Sequence, residues 1–333
     1  MHKLNSENNV PWFVVWNRFM PRTNLQSWII RIVLSTRCNY FCPHCFQEGE
    51  NIACHRDLSV DFISRVMEFW KNNYWVHTAR LTWWEPLIYP ELDNLLWRLR
   101  EVWIENIDLT TNGFFLSEKL DILLKHDIKL VTVTINTLIP ENYEKNVWQK
   151  VKLKKIFLWI DKAKQAWIKV NINLTALDNL SVDEIFEVIY FANENDFVIR
   201  ICEPTHMAWV DETKSKDIFK KVEARLKKEA ISIIESYCDS VVYLTMKNWS
   251  KVTIMSNLCD NRFCDSCSKY LYLRLTSDKK FKPCLSRTDT EVEIWDDLSD
   301  ENLNKAFCIA INNMWKWPEK ADWMLLEKKI KRQ

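Results

Sequence analysis

The sequence predicts an α/β fold in which a partial (β/α)6, TIM-like barrel is followed by a smaller α+β domain. Short apolar runs rich in β-branched residues alternate with amphipathic stretches from about residue 29 to residue 203, and this alternation stops after residue 205. Alternating strands and helices favour a parallel sheet. A complete barrel has eight such units, so the six found here favour a partial barrel.

Six short strands are expected to form the barrel, because their apolar, β-branched composition is typical of buried parallel strands. They cover 29–35, 77–82, 106–111, 130–136, 169–175 and 198–203. Amphipathic helices are predicted between them, over 60–73, 91–102, 117–125, 150–166 and 182–195. In such folds the chemistry lies at the carboxyl ends of the strands, so we expect the site there.

The rest of the chain predicts a second domain. A charged helix is predicted over 213–235, followed by a cysteine-rich β segment over 240–294 and a short helical tail. We therefore expect an N-terminal extension at 1–28, a barrel at 29–205 and a C-terminal domain at 206–333.

Composition limits the classes of partner and compartment. A formal net charge of +1 gives no electrostatic reason to expect a nucleic acid or a membrane surface as partner. The chain opens on a polar segment, MHKLNSENNV, and no apolar run reaches membrane-spanning length. We expect a cytoplasmic protein, in which the 11 cysteines are metal ligands or core thiols rather than disulfides.

The chain has 18 tryptophans and only 2 glycines, although average usage predicts roughly 23 glycines at about 7%. Trp75, Trp103 and Trp167 lie between a predicted helix and a predicted strand, where a left-handed C-cap normally takes glycine. This pattern predicts that many of the tryptophans are glycines in the living protein, encoded by a reassigned codon such as UGA. The alternative is a chain that is truly rich in tryptophan.

A first cysteine cluster directly follows the first predicted strand. Cys38, Cys42 and Cys45 have the spacing C-x3-C-x2-C. Three thiolates on one loop can hold three irons of a [4Fe–4S] cubane and leave the fourth iron open. A zinc site, which usually needs four ligands, and a group of core cysteines are the alternatives.

This loop resembles the signature of the radical S-adenosylmethionine (SAM) superfamily. The resemblance implies that the open iron is chelated by SAM, that reduction releases a 5′-deoxyadenosyl radical, and that no side chain serves as catalytic acid or base. The family carries a GGEP stretch after its second strand, where this chain has Trp83, Trp84, Glu85 and Pro86. The resemblance assigns SAM contacts to His44, Trp83, Trp84, Glu85, Thr134 and Thr205.

A second cysteine cluster resembles the C-terminal half of the GTP 3′,8-cyclases of molybdenum cofactor biosynthesis. Cys264 and Cys267 form a C-x2-C, and LRLTSDKKFKPCL leads to Cys284. The resemblance implies an auxiliary iron–sulfur cluster in the C-terminal domain, hence two [4Fe–4S] clusters in all. Cys259 is a candidate fourth ligand, and a fully ligated cluster could only relay electrons.

The resemblance also implies GTP as substrate, whose triphosphate needs cationic partners. It assigns substrate contacts to Arg31, Arg80, Thr111, Lys169, Arg200, Lys269 and Arg274. A reductant protein such as flavodoxin or ferredoxin and a homodimer are expected as partners. Two alternatives stay open: a radical SAM peptide-modifying maturase, and a non-catalytic zinc- or cluster-binding protein.

Overall fold

The computed structural model describes residues 29–45, 56–82, 84–204, 210–235, 241–256, 272–284 and 287–315. Its first six strands are parallel and pair in chain order, as the sequence predicts for the barrel. They are β1 Ile29–Val33, β2 Thr78–Thr82, β3 Asn106–Thr111, β4 Leu130–Thr134, β5 Lys169–Thr175 and β6 Val198–Cys202. The predicted fold class is therefore confirmed, with each strand ending within two residues of its predicted bounds.

Amphipathic helices cover the outside of these strands. The described α-helices are α1 Val60–Tyr74, α2 Leu92–Glu101, α3 Leu116–Lys125, α4 Pro140–Val147, α5 Leu153–Gln165, α6 Val182–Glu194, α7 Glu212–Glu229 and α8 Asp300–Trp315. Serine caps begin two of them: Ser59 Oγ accepts from the Phe62 N–H at the start of α1, and Ser181 Oγ accepts from the Glu184 N–H at the start of α6. No described helix combines the length and the apolarity that a membrane crossing requires.

Two details of the helix prediction are wrong. The charged helix predicted over 213–235 ends at Glu229, and Ala230–Glu235 form strand β7. This segment, AISIIE, is rich in β-branched residues and pairs antiparallel with the next strand. The short helix α4 was not predicted, because its eight residues are mostly polar.

The C-terminal strands extend the barrel sheet at both of its sides. They are β7 Ala230–Glu235, β8 Val241–Met246, β9 Lys251–Met255, β10 Tyr272–Leu275, β11 Lys280–Lys282 and β12 Val292–Glu293. Strand β9 pairs parallel with β6, and β10 pairs parallel with β1. The twelve described strands form one sheet in the order β12-β11-β10-β1-β2-β3-β4-β5-β6-β9-β8-β7. The domain boundary near residue 205 stays a prediction.

An aromatic cluster joins the C-terminal elements to the barrel. Trp70 on α1 is fully buried, and its ring centroid lies 4.8 Å from that of Phe281 on β11 and 6.3 Å from that of Phe307 on α8. Large aromatic side chains bury more apolar area than other residues, so this contact stabilises the packing of the C-terminal elements β11 and α8 against the barrel helix α1.

Several residues other than glycine adopt the left-handed backbone region. Trp75, Trp103 and Trp167, at the three helix-to-strand joints, have φ of 54°, 63° and 64°. The left-handed C-cap expected at each joint is therefore present.

Candidate functional site

A cavity of about 380 Å³ opens at the carboxyl ends of the barrel strands. Small-molecule sites have volumes of about 300–1,000 Å³, so the cavity is large enough for a substrate or cofactor. Its lining includes the three-cysteine loop after β1, polar residues at the ends of β2 to β5, and arginines from β1, β2 and β6. The residues on which the argument below depends are Arg31, Cys38, Cys42, His44, Cys45, Arg80, Trp84, Thr111, Asn112, Thr134, Asn136 and Arg200.

The three thiols of the loop lie close together and are partly shielded from solvent. Burial, with smaller contributions from the charges of Glu85 and Cys45, raises the pKa of Cys38 to about 12. Burial also raises the pKa of Cys42 well above its usual range, and Cys45 and Cys38 add to this effect. The Tyr40 N–H lies 3.4 Å from Cys38 Sγ and orients that thiol.

Glu85 ties the end of β2 to the end of β3. Its side chain is 1% exposed and accepts hydrogen bonds from Thr111 Oγ1 at 2.6 Å, the Asn112 N–H at 2.8 Å and the Leu87 N–H at 3.0 Å. Burial outweighs these bonds and raises the pKa of Glu85 to about 7. Asn112 Nδ2 in turn approaches Cys38 Sγ at 3.9 Å, so the network reaches the cysteine loop.

His44, between Cys42 and Cys45 in the same loop, is also buried. Burial lowers its pKa to about 4, so the imidazole is neutral at pH 7. Its Nε2 lies 3.3 Å from Asn136 Nδ2, and Asn136 Oδ1 accepts from the Thr175 N–H at 2.9 Å. The end of β4 therefore holds the imidazole ring in place.

Three arginines stand in register on adjacent strands. Arg274 on β10 is paired with Arg31 on β1, and Arg31 is paired with Arg80 on β2. Paired residues of neighbouring strands point to the same face of a sheet. Arg80 forms an ion pair with Asp108 at 2.9 Å, and Arg200 on β6 donates to Asn173 Oδ1 at 3.2 Å. Asp108 offsets the charge of Arg80, but three guanidinium groups, of Arg31, Arg80 and Arg200, line the cavity, and such groups favour an anionic ligand.

Comparison with known proteins identifies the family. The sequence profile described as the Radical SAM superfamily matches residues 32–192, which contain the end of β1, the cysteine loop and the whole of β2 to β5. Residues 32–192 therefore form a radical SAM domain. The chain is an enzyme, and its cofactors are SAM and iron–sulfur clusters of the [4Fe–4S] type.

Relatives of this radical SAM enzyme cover most of its length. It is 27% identical over 312 residues to a probable GTP 3′,8-cyclase of Thermococcus kodakarensis, covering 90% of this chain and 97% of the relative. It is also 27% identical over 312 residues to the GTP 3′,8-cyclase of Clostridium perfringens, covering 90% of this chain and 93% of that protein.

A solved structure shares the fold. The structure of Streptococcus suis SuiB bound to S-adenosylmethionine superposes with a TM-score of 0.61 at 16% identity. The match covers 82% of this chain and 64% of the length of SuiB.

The cysteine loop fits an open [4Fe–4S] cluster. Cys38, Cys42 and Cys45 line one cavity, and their charges influence one another's pKa values, so the three sulfur atoms face a common space. Thiolates are the ligands that iron–sulfur clusters require. Among the described residues, no three His, Cys, Asp or Glu side chains form a group suited to a single metal ion.

The structure brings together many of the residues that the sequence assigns to the site. Cys38, Cys42, Cys45, His44, Trp84, Thr134, Arg31, Arg80, Thr111 and Arg200 line the cavity. Glu85 is buried behind it, and Arg274 is 5% exposed in the row beside Arg31. Lys169 does not join them: it is exposed at the amino end of β5, although it shares a strand face with Asn173 and Thr175 of the cavity.

Six of the residues assigned to the site or to the auxiliary cluster lie in parts of the chain that the structure does not describe. Trp83, Thr205, Cys259, Cys264, Cys267 and Lys269 lie outside the described residues. Cys284 is described as a partly exposed thiol just after β11. The auxiliary cluster therefore stays a prediction.

The site residues assigned from the sequence leave out two polar contributors to the site. Asn112, which approaches Cys38, directly follows β3, and Asn136, which contacts His44, lies two residues after the end of β4. Their position after β4 and β3 is a signal that the sequence contains, because polar residues at these strand ends face the site. Their partners could not be identified without the folded geometry.

Proposed function

We propose that this radical SAM enzyme is a GTP 3′,8-cyclase-like lyase of molybdopterin precursor synthesis. The single observation that carries the proposal is the row of Arg274, Arg31 and Arg80, in register on three adjacent strands and continued by Arg200 across the barrel. Guanidinium groups bind phosphate oxygens through charge-assisted hydrogen bonds. The relatives named GTP 3′,8-cyclases support a nucleoside triphosphate as the anion.

Two [4Fe–4S] clusters belong to this proposal. Cys38, Cys42 and Cys45 hold the first cluster, and Cys264, Cys267 and Cys284 hold the auxiliary one, with Cys259 as a possible fourth ligand. When bound and reduced, the first cluster and SAM would supply the radical hydrogen-atom abstraction that cyclisation of GTP requires.

In this proposal the protein's own side chains position the ligands and shield them from water, and they do not transfer protons. The arginine row fixes the triphosphate, and Glu85 fixes the ends of β2 and β3 on which the SAM contacts depend. The neutral imidazole of His44, held by Asn136, presents a flat surface to the cavity. Burial of these groups excludes water, which would otherwise quench reactive intermediates.

The electron must come from outside the chain. We propose a reductant protein such as flavodoxin or ferredoxin as the donor. The expected homodimer stays a prediction.

Anaerobic turnover tests the proposal. Protein with glycine at positions 83 and 84, reconstituted with iron and sulfide, is assayed for 5′-deoxyadenosine with and without GTP. We expect GTP to raise 5′-deoxyadenosine formation and to be converted to a cyclised product. If SAM is cleaved slowly and GTP changes nothing, the GTP proposal fails, and a peptide substrate becomes the next hypothesis.

Arginine variants sharpen the assay. Arg31→Ala is expected to raise the KM for GTP at least about tenfold, because losing one charge-assisted contact of about 1.4 kcal/mol costs that factor. Its SAM cleavage without GTP is expected to stay unchanged. The control is Arg98→Ala on the outer helix α2, where Arg98 pairs with Glu101 away from the cavity. Equal effects of the two variants would contradict the assignment of Arg31.

A further inference from the structure

Six tryptophans adopt a backbone conformation that tryptophan rarely takes. Their φ angles lie between 47° and 66°. At positive φ the β-carbon of an L-residue crowds the backbone, and a bulky residue there is an outlier. Glycine has no β-carbon and adopts this region freely. The six are Trp75, Trp84, Trp103, Trp148, Trp167 and Trp249.

Hydrogen bonds show that the helix ends impose this conformation. At the end of α2, the Trp103 N–H bonds to Arg100 O and the Ile104 N–H to Leu99 O. At the end of α5, the Trp167 N–H bonds to Lys164 O and the Ile168 N–H to Ala163 O. These paired bonds define the Schellman motif, in which the left-handed residue is usually glycine.

Two other helices make the same motif with a residue that tolerates it. Asp127 ends α3 and Asp196 ends α6, with φ of 54° and 60° and the same two bonds. Aspartate enters the left-handed region more readily than other residues, because its short polar side chain bonds locally. The chain therefore uses a suitable residue at two of these four ends and tryptophan at the other two.

Trp249 occupies a matching position in a β-hairpin. Between β8 and β9, the Trp249 N–H bonds to Met246 O and the Met246 N–H to Ser250 O. A type I turn followed by a left-handed residue has this pattern, and glycine is preferred at the left-handed position.

Packing gives no reason for tryptophan at five of these positions, which are largely exposed. Trp103, Trp167 and Trp249 are 77%, 92% and 75% exposed, and Trp75 and Trp148 are more than half exposed. Trp70 provides the contrast, because it lies within helix α1 and is fully buried against Phe281.

We propose that the functional protein carries glycine at these six positions, because the codon read as tryptophan is translated as glycine in the organism that makes it. The imbalance of 18 tryptophans against 2 glycines has the same cause. At position 84 the exchange also removes an indole from the lining of the cavity. That consequence for ligand binding rests on the proposed function, whereas the identity of the residue does not.

Peptide mass spectrometry of the protein purified from its native source tests the proposal directly. Peptides that cover residues 75, 84, 103, 148, 167 and 249 are expected to have the mass of glycine at each position. Tryptophan masses at these positions would overturn the proposal, whatever the enzyme's substrate proves to be.

Recombinant protein gives a second, independent test. In a host that uses the standard code, the chain with glycine at the six positions is expected to unfold at a higher denaturant concentration than the chain with tryptophan. Leu158→Gly is the control, because Leu158 is an exposed apolar residue inside helix α5, where glycine should lower the midpoint. A lower midpoint for the six-glycine chain would count against the proposal.

Discussion

Glu85 shows how one buried side chain organises the site. It bridges two strand ends with three hydrogen bonds and is 1% exposed. We expect Glu85→Ala to lower the free energy of unfolding by about 1–3 kcal/mol, because buried donors lose their acceptor. Glu85→Gln keeps one carboxamide oxygen as acceptor, so a smaller loss is expected in urea unfolding. Equal losses would show that the hydrogen bonds are not the cause.

The raised pKa of Glu85 predicts that the stability of the protein depends on pH. Burial raises the pKa of Glu85 from its ordinary 4.5 to about 7, so the folded state holds this proton more tightly than the unfolded state. The resulting stabilisation is fully present below about pH 4.5 and is lost as the pH rises to about 7. The difference in unfolding free energy between wild type and Glu85→Gln should therefore change across this window. A constant difference would contradict the raised pKa.

At the site, the sequence allowed residues to be assigned but not their contacts. The cysteine motifs and the family resemblance based on them assigned ten of the residues that line the cavity. Asn136 was missed because its role depends on His44, 92 positions away in the sequence. Contacts between strand ends are set by the sheet order, which local patterns do not encode.

At the scale of single elements, the charge of Asp278 stabilises the turn between β10 and β11. Burial opposes ionisation of Asp278, but hydrogen bonds from Lys280 and Thr276 lower its pKa below 3.8. This stabilisation is present above pH 3.8 and is lost as the pH falls. Asp278→Asn should therefore lower the unfolding free energy by about 1 kcal/mol at pH 7, with the difference vanishing toward pH 3.

The control for Asp278 is Asp296→Asn. Asp296 is an exposed partner of Lys279 beside the same hairpin, at 3.3 Å. Exposed ion pairs contribute little to stability, so this variant should match the wild type at both pH values. A pH-independent effect of Asp278→Asn would show that the turn depends on packing rather than on charge.

Periodicity predicted the barrel elements to within a few residues, since each strand and helix buries one apolar face. Periodicity did not predict the structure correctly where pairing with another strand determines whether a segment is helix or strand. Ala230–Glu235 follow a lysine-rich helix without a break in the sequence, and only pairing with β8 makes them a strand. Helix α4 begins with Pro140, a signal for a first helical turn that a polar segment of eight residues made easy to overlook.

At the scale of the whole molecule, one sheet connects residues that lie far apart in the sequence. Strand β10 pairs with β1 although more than 200 residues separate them. Arg274 enters the arginine row only through this pairing. Under the proposed function, substrate binding by the arginine row would therefore depend on the C-terminal region being folded against the barrel.

Leu275→Ala tests this dependence. Leu275 is fully buried on β10, between Ile32 of β1 and Phe281 of β11. Truncating a buried leucine costs about 2–5 kcal/mol. We expect the entire unfolding transition, followed by far-ultraviolet circular dichroism, to move to lower urea while remaining a single step. Val292→Ala at the outer strand β12, where Val292 is only partly buried, should cause a smaller shift. If Leu275→Ala instead splits off a separate early transition and leaves the barrel's own transition in place, β10 does not stabilise the barrel, and the arginine row is not a rigid part of it.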